Sequence, residues 1–225
     1  GEKMVADGRD PSFSQSDWNP LKAEMLALRS LYYFHLVRAY RDVPFVVESI
    51  STDAEARRAN TPQTKGVVIL DSLLVELEAT VGKAAENYGS DQNNKGRFGK
   101  RSIHALMADM YLTSKNYQAA YKALSEIQNP DTKMQDTKQY LRYQLGMDAF
   151  LQGKLQDAIE WMTQVIDHAK KTSEYKTEAY YVRAESAYRL HQYDHCLADL
   201  HHYEAQSDVA SSPNLIASMY LKAYA

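Results

Sequence analysis

The apolar positions of this chain recur every three or four residues through most of its length. Leu21, Met25, Leu28, Tyr32, Leu36 and Ala39 form one such stripe, widened by Leu31, Phe34 and Val37. That spacing predicts an amphipathic helix. Asp17 and Pro20 mark its start, and Val43-Pro44 stops it, because a residue before proline is pushed out of the helical region. Residues 1–17 carry no period and read as an irregular leader. A polar stretch runs on to Asn60, long for a connection inside a compact domain. Thr61-Pro62 opens a second helix, with Val67, Leu70, Leu74, Leu77 and Val81 on one stripe. Tyr88 to Gly99 is a polar turn, and shorter helix pairs follow it: 101–114 with 117–127, 137–152 with 155–170, and 176–190 with 193–206. Ser212-Pro213 starts a last helix. No stretch alternates at strand period, so the chain reads as all-α.

The short pairs are also repeats. Ala108, Tyr111, Tyr117 and Ala120 become Gly146, Ala149, Leu155 and Ala158 after a shift of 38 residues, and Ala184, Ala187, Tyr193 and Cys196 after another 38. Each set places a small residue in the first helix, a large one after the turn and a small one three further on. Small residues are required where two helices approach closely. The skeleton resembles the tetratricopeptide repeat, whose period is about 34 residues. The longer step fits wider inter-repeat loops around Asn129-Pro130-Asp131 and Lys171-Thr172-Ser173. One departure is the family's aromatic in the first helix, where His104, Arg142 and Tyr180 stand.

Composition narrows the function classes. With 44% hydrophobic and 24% charged residues, the chain has the material for a sizeable core, and 9 Gly and 6 Pro give it little turn punctuation. A net charge of −3 gives no pull toward nucleic acid. The single cysteine, Cys196, excludes an internal disulfide and a multi-cysteine zinc site. The longest apolar stretches are interrupted by charge, so no transmembrane segment is expected. The first residues lack the apolar middle of a signal peptide, and Gly1 in place of methionine points to trimming.

The stretch Ala23 to Pro44 opens on Ala23-Glu24, runs through Leu28-Arg29-Ser30-Leu31-Tyr32-Tyr33-Phe34 and ends Tyr40-Arg41-Asp42-Val43-Pro44. It resembles the SusD/RagB family, glycan-binding outer-membrane lipoproteins of Bacteroidetes that sit on a TonB-dependent transporter. Ser30 stands where that family has alanine, and Arg41 where it has glycine. Thr61-Pro62 to Leu77, and Gly96-Arg97-Phe98-Gly99-Lys100 continuing through Ala108 and Tyr111, are similar to its next helices. The resemblance covers residues 15–127. It implies a cell-surface location for the parent, with the lipid anchor outside this chain and the chain itself soluble. It also implies carbohydrate uptake as the parent's role, although the usual glycan-site region is absent. Residues 137–206 instead read as plain repeats, which suggests a fusion or chimera joined near residues 118–136.

Candidate chemistry is sparse. The cluster from His191 through His195 and Cys196 to His201-His202 could hold a metal only if its members converged. The register instead puts Cys196 in a buried small position and leaves Asp199 and His202 exposed. Asp91 to Gly96 mimics the start of a calcium loop, but Lys95 sits in a ligand slot and Ser102 at the twelfth position. Glu24, Glu76 and Glu78 read as solvated helix faces, and no nucleophile or phosphate motif occurs. No catalytic residue, metal site or cofactor is expected, so the chain is not read as an enzyme.

What remains is surface. If the first helices of the pairs line a concave groove, Tyr140, Tyr143, Met147, Tyr181, Glu185, Tyr188 and Arg189 face it. Tyrosine offers wide contact at small entropic cost. The reading is therefore a right-handed tetratricopeptide-like helical-hairpin solenoid with a terminal capping helix. Its parts are a leader at 1–17, a SusD-like helical part at 18–128, and repeats with the capping helix at 129–225, stacked as one solenoid. Its function is that of a protein-interaction scaffold, with a protein or peptide such as a TonB-dependent transporter as partner. The alternative is a glycan-binding module working with that transporter.

Overall fold

The computed structural model describes residues 2–8, 10–47, 52–58, 61–169 and 174–225, with only the backbone of Arg57, Arg58 and Glu174. The fold is all-α, and its residues divide into two compact units, 1–128 and 129–225.

The first unit contains α1 (Glu2–Ala6), α2 (Gln15–Tyr40), α3 (Asp53–Arg58), α4 (Gly66–Val81), α5 (Asp91–Asn94), α6 (Lys100–Thr113) and α7 (Tyr117–Ser125). Within the expected leader lie α1 and the first turn of α2. The signal for that earlier start is Ser14-x-x-Asp17, a capping box in which each side chain takes the other's backbone N–H.

Helix α2 turns a different face inward from the one its large residues predict. Ala23, Ala27, Ser30, Phe34 and Val37 are buried, whereas Met25 and Tyr32 are 54% and 65% exposed, and Leu21 and Leu36 are exposed too. The inner face is the one with the small side chains, which lets α4 pack closely with Ile69, Leu70, Leu73, Leu74 and Leu77. Ser30 is fully buried, and its hydroxyl donates to the Leu26 carbonyl at 2.8 Å.

The end of α2 explains the Arg41-Asp42-Val43-Pro44 motif. Arg41 has φ 64° and ψ −83°, and the Asp42 N–H donates back to the Tyr40 carbonyl at 3.0 Å. This is a γ-turn at positive φ, strained for any residue with a Cβ. It brings Val43–Pro44 alongside Gln63–Thr64 as a two-residue antiparallel pair, so the second helix starts at Gly66 rather than at Thr61-Pro62. Asp42 then accepts the Gly66 N–H at 3.0 Å, at a point where a Cβ on Gly66 would lie 2.6 Å from the Arg41 carbonyl oxygen.

The second unit contains α8 (Thr132–Leu151), α9 (Leu155–His168), α10 (Glu174–Arg189), α11 (Tyr193–Glu204) and α12 (Leu215–Tyr224). Helix α8 begins five residues before the predicted 137, because Asp131 caps it by accepting the Met134 N–H at 2.8 Å. The loop expected around Lys171-Thr172-Ser173 lies outside the described residues. Successive helices pack on one another, and Met162, Val165, Ala179, Tyr181 and Tyr203 lie in one core. Glu178 ties α12 to α10 by accepting from Ser212 Oγ at 2.7 Å and Asn214 Nδ2 at 2.6 Å.

The 38-residue step is visible in the backbone. Each of the three short hairpins turns through a residue at positive φ, namely Lys115 (57°), Gly153 (75°) and His191 (60°). Each is then closed by a bond from the next N–H, Asn116 to Tyr111, Lys154 to Ala149 and Gln192 to Ala187, at 2.9, 2.9 and 2.8 Å. The small positions Ala108, Ala120, Gly146, Ala158, Ala184 and Cys196 are all buried. At Gly146 a Cβ would meet Met162 Cε at 2.7 Å.

The strained γ-turn generates a stability prediction. Arg41→Gly should raise the melting temperature by about 2–4 °C, corresponding to about 1 kcal/mol of relieved strain. An unchanged or lower melting temperature would show that the turn is not strained at this position.

Candidate functional site

The first helices of the second unit, α8 and α10, carry the expected groove residues, and the structure brings part of that set together. Tyr140 and Tyr143 project from α8 toward Tyr175 at the start of α10, with ring centroids 6.0 and 5.1 Å from the Tyr175 ring. One helical turn on from Met147, Phe150 carries the Arg189 guanidinium over its ring at 4.7 Å. Arg189 is also ion-paired to Glu185 one turn back along α10. The Tyr181 hydroxyl bonds to the same Glu185, and burial together with that carboxylate raises the phenol above its ordinary range. The result is a strip on two neighbouring helices, aromatic around Tyr175 and ionic beside Phe150. It presents ring faces and one guanidinium.

Other expected members have different duties. Tyr181 is 8% exposed and belongs to the core, and Met147 packs against the same cluster. Tyr188 faces a second cluster, Ala184, Ala187, Cys196 and Leu200, and meets the Tyr193 ring edge-on at 5.6 Å. Two members of the strip, Phe150 and Tyr175, are missing from the sequence-based set. Phe150 was within reach, because it sits one 38-residue step before Tyr188. Tyr175 carries no such signal.

In the histidine-rich stretch, His191, His195, His201 and His202 are all exposed. Asp199, expected on the surface, is buried and receives Arg183 Nε and Nη2 at 2.8 and 2.6 Å. His202 is exposed, as expected, and its ring stacks on Tyr180 at 5.3 Å. Burial pushes the Cys196 thiol up to about 11, as fits a small apolar position. Among the described residues no group of three His, Cys, Asp or Glu side chains is placed to hold a metal ion. Asp91–Asn94 is a short helix capped by Ser90.

The carboxylates expected on solvated faces are engaged. Glu76 pairs with Arg29, and Glu78 accepts from the Tyr111 hydroxyl. Glu24 is buried, and it accepts Arg97 Nε and Nη2 at 2.6 Å each and the Phe98 N–H at 3.2 Å. Arg97 in turn lies over the Tyr88 ring at 4.0 Å. Ala23-Glu24 and Gly96-Arg97-Phe98 are thus two halves of one clamp, which holds the residue 82–99 connection against α2.

No family model matches the chain, and no curated protein matches it. Among solved structures it is similar to a laminarin-binding SusD-like protein, with 30% identity and a TM-score of 0.46 over 52% of this chain and 24% of that one. It is also similar to a SusD-like carbohydrate-binding protein from Bacteroides fragilis NCTC 9343, with 24% identity and a TM-score of 0.45 over 51% of this chain and 22% of that one. A further SusD-like protein from the same strain shows 24% identity and a TM-score of 0.45, over 51% of this chain and 21% of that one. The chain spans under a quarter of the length of each.

The clamp gives a pH-dependent prediction. The Arg97 hydrogen bonds hold the Glu24 carboxyl below its ordinary value, against the opposing effect of burial. Its contribution is therefore present above the unfolded-state value of about 4.3 and is lost as pH falls through the lower folded value. Chemical denaturation should find Glu24→Gln clearly less stable than the parent at pH 7, with the gap closing toward pH 3. A gap that stays constant across that range would contradict the clamp.

Proposed function

We propose that this chain is a non-catalytic helical-repeat scaffold that binds a protein segment along the first helices of its second unit. The observation that carries this reading is the Tyr140–Tyr143–Tyr175 cluster continuing into Phe150, Arg189 and Glu185. Aromatic rings beside a guanidinium are the side-chain types that dominate protein interfaces. In this reading the first half is SusD-like and the second half has a separate source. The partner class that the resemblance implies is a TonB-dependent outer-membrane transporter, met at the cell surface. Among the described residues no helix is long and apolar enough to cross a membrane.

One observation favours a second reading, a glycan-binding module. Trp18 lies in the first turn of α2 and lines a cavity of about 690 Å³ with Lys22, Met25, Arg29 and Glu76. An aromatic ring with neighbouring charged groups is a surface on which a sugar can stack and hydrogen-bond.

The two readings separate in one pair of measurements. Immobilised chain exposed to a Bacteroidetes outer-membrane extract should retain a TonB-dependent transporter, and the Tyr140→Ser/Arg189→Glu double variant should release it. Calorimetric titration with laminarin oligosaccharides should show no saturable heat. Retention unchanged in the double variant counts against the scaffold, and a saturable heat abolished by Trp18→Ala would establish the glycan module.

A further inference from the structure

The chain has 7 histidines, and all are exposed except His104 in α6, which is 7% exposed. Two 38-residue steps further on, Tyr180 fills the equivalent place in α10 and is buried as well, with its ring stacked on His202. An aromatic ring suits the position. In the first short hairpin that ring is one that can take up a proton near neutral pH.

One nitrogen of the ring is buried unsatisfied. His104 Nδ1 has no hydrogen-bond partner among the described residues. A neutral imidazole meets this by keeping its proton on Nε2 and a lone pair on Nδ1. An imidazolium cannot, because both nitrogens are then donors and Nδ1 becomes a buried donor without an acceptor. The charged groups around the ring are Glu126 and Lys122 of α7, Glu78 of α4, Glu86 of the 82–99 connection and Lys100 of α6 itself. Helix α2, which also packs on α6, supplies none of them. Two of the carboxylates are engaged, Glu86 by Lys100 at 2.8 Å and Glu78 by the Tyr111 hydroxyl. Burial, the largest influence, outweighs the pull of Glu126 and Glu86 and holds the ring's basicity below its ordinary value.

We propose that His104 is a pH sensor built into the α6–α7 hairpin: the neutral ring keeps the hairpin closed, and protonation expels the ring and loosens α6 from α4 and α7. The sign follows from proton uptake. The opened hairpin binds a proton more readily than the closed one. Stability is therefore full above the unfolded value of about 6.5 and is lost as pH falls from there toward the lower folded value. The sensor lies in the first unit, so it does not rest on the function of the α8–α10 strip.

Two measurements on the full chain test this. An NMR titration should follow the His104 ring, assigned through the α6 backbone, and find its protonation midpoint about one unit or more below 6.5. Amide hydrogen exchange should then compare protection factors at pH 7 and pH 5. In the parent chain the amides of α6 and α7 should lose about tenfold in protection, the equivalent of one unit. In His104→Phe, which keeps an aromatic ring, and in His104→Leu, which keeps an apolar one, that loss should vanish. Helices α8 and α9 should respond alike in all three chains. A His104 midpoint at or above 6.5 would overturn the proposal, even if neither variant folds. So would a loss of α6–α7 protection that is the same in the parent and the variants.

Discussion

Two helices can cross closely only where one presents a hydrogen or a methyl group to the other, and that constraint recurs through this molecule. Gly146 approaches Met162 so closely that a Cβ would overlap it. Ala108, Ala120, Ala158, Ala184 and Cys196 hold the equivalent places, each buried. Ala23, Ala27 and Ser30 do the same for α2 against α4. The close crossing in turn demands a tight turn, which a residue at positive φ and one closing backbone bond supply at 38-residue intervals. Because the hairpins are equivalent, a side chain's place in one predicts its neighbours in the next. That equivalence makes Tyr188 the counterpart of Phe150, one 38-residue step away.

The exposed surface follows from what the packing leaves over. Small residues face the close crossings, and some large side chains of the first helices are left only partly covered. On α8 and α10 they gather as tyrosines around Tyr175, with Arg189 over Phe150. On α2 the same logic leaves Met25, Tyr32 and Leu36 outside. Ion pairs fix both helices and connections: Arg183–Asp199 joins α10 to α11, and the Glu24–Arg97 clamp binds residues 73 apart in sequence.

Much of this was legible in the chain. Helical periodicity gave the all-α class, and the recurrence of small and large residues gave the hairpin register, because both depend on local spacing. The orientation of α2 was not legible, since a helix apolar on several sides does not reveal whether its large or its small face is buried. The clamp was hidden because Glu24 and Arg97 meet only through the fold. Arg41 is the intermediate case: the position resembles one where glycine belongs, and the backbone there has the positive φ that glycine relieves. Within the groove set, Tyr140 and Tyr143 meet at Tyr175 and Glu185 pairs with Arg189, whereas Tyr188 packs on a neighbouring cluster. A single helix face cannot distinguish a residue that meets a ligand from one that meets the next helix.

The 38-residue register carries the whole account, and amide hydrogen exchange reads it directly. The N–H groups of Asn116, Lys154 and Gln192 lie in surface turns yet close the three hairpins. All three should exchange as slowly as amides of the adjoining helices, because opening any of them requires the hairpin itself to open. Exchange of any of the three at the rate of an unprotected loop would contradict the repeated geometry on which the account stands.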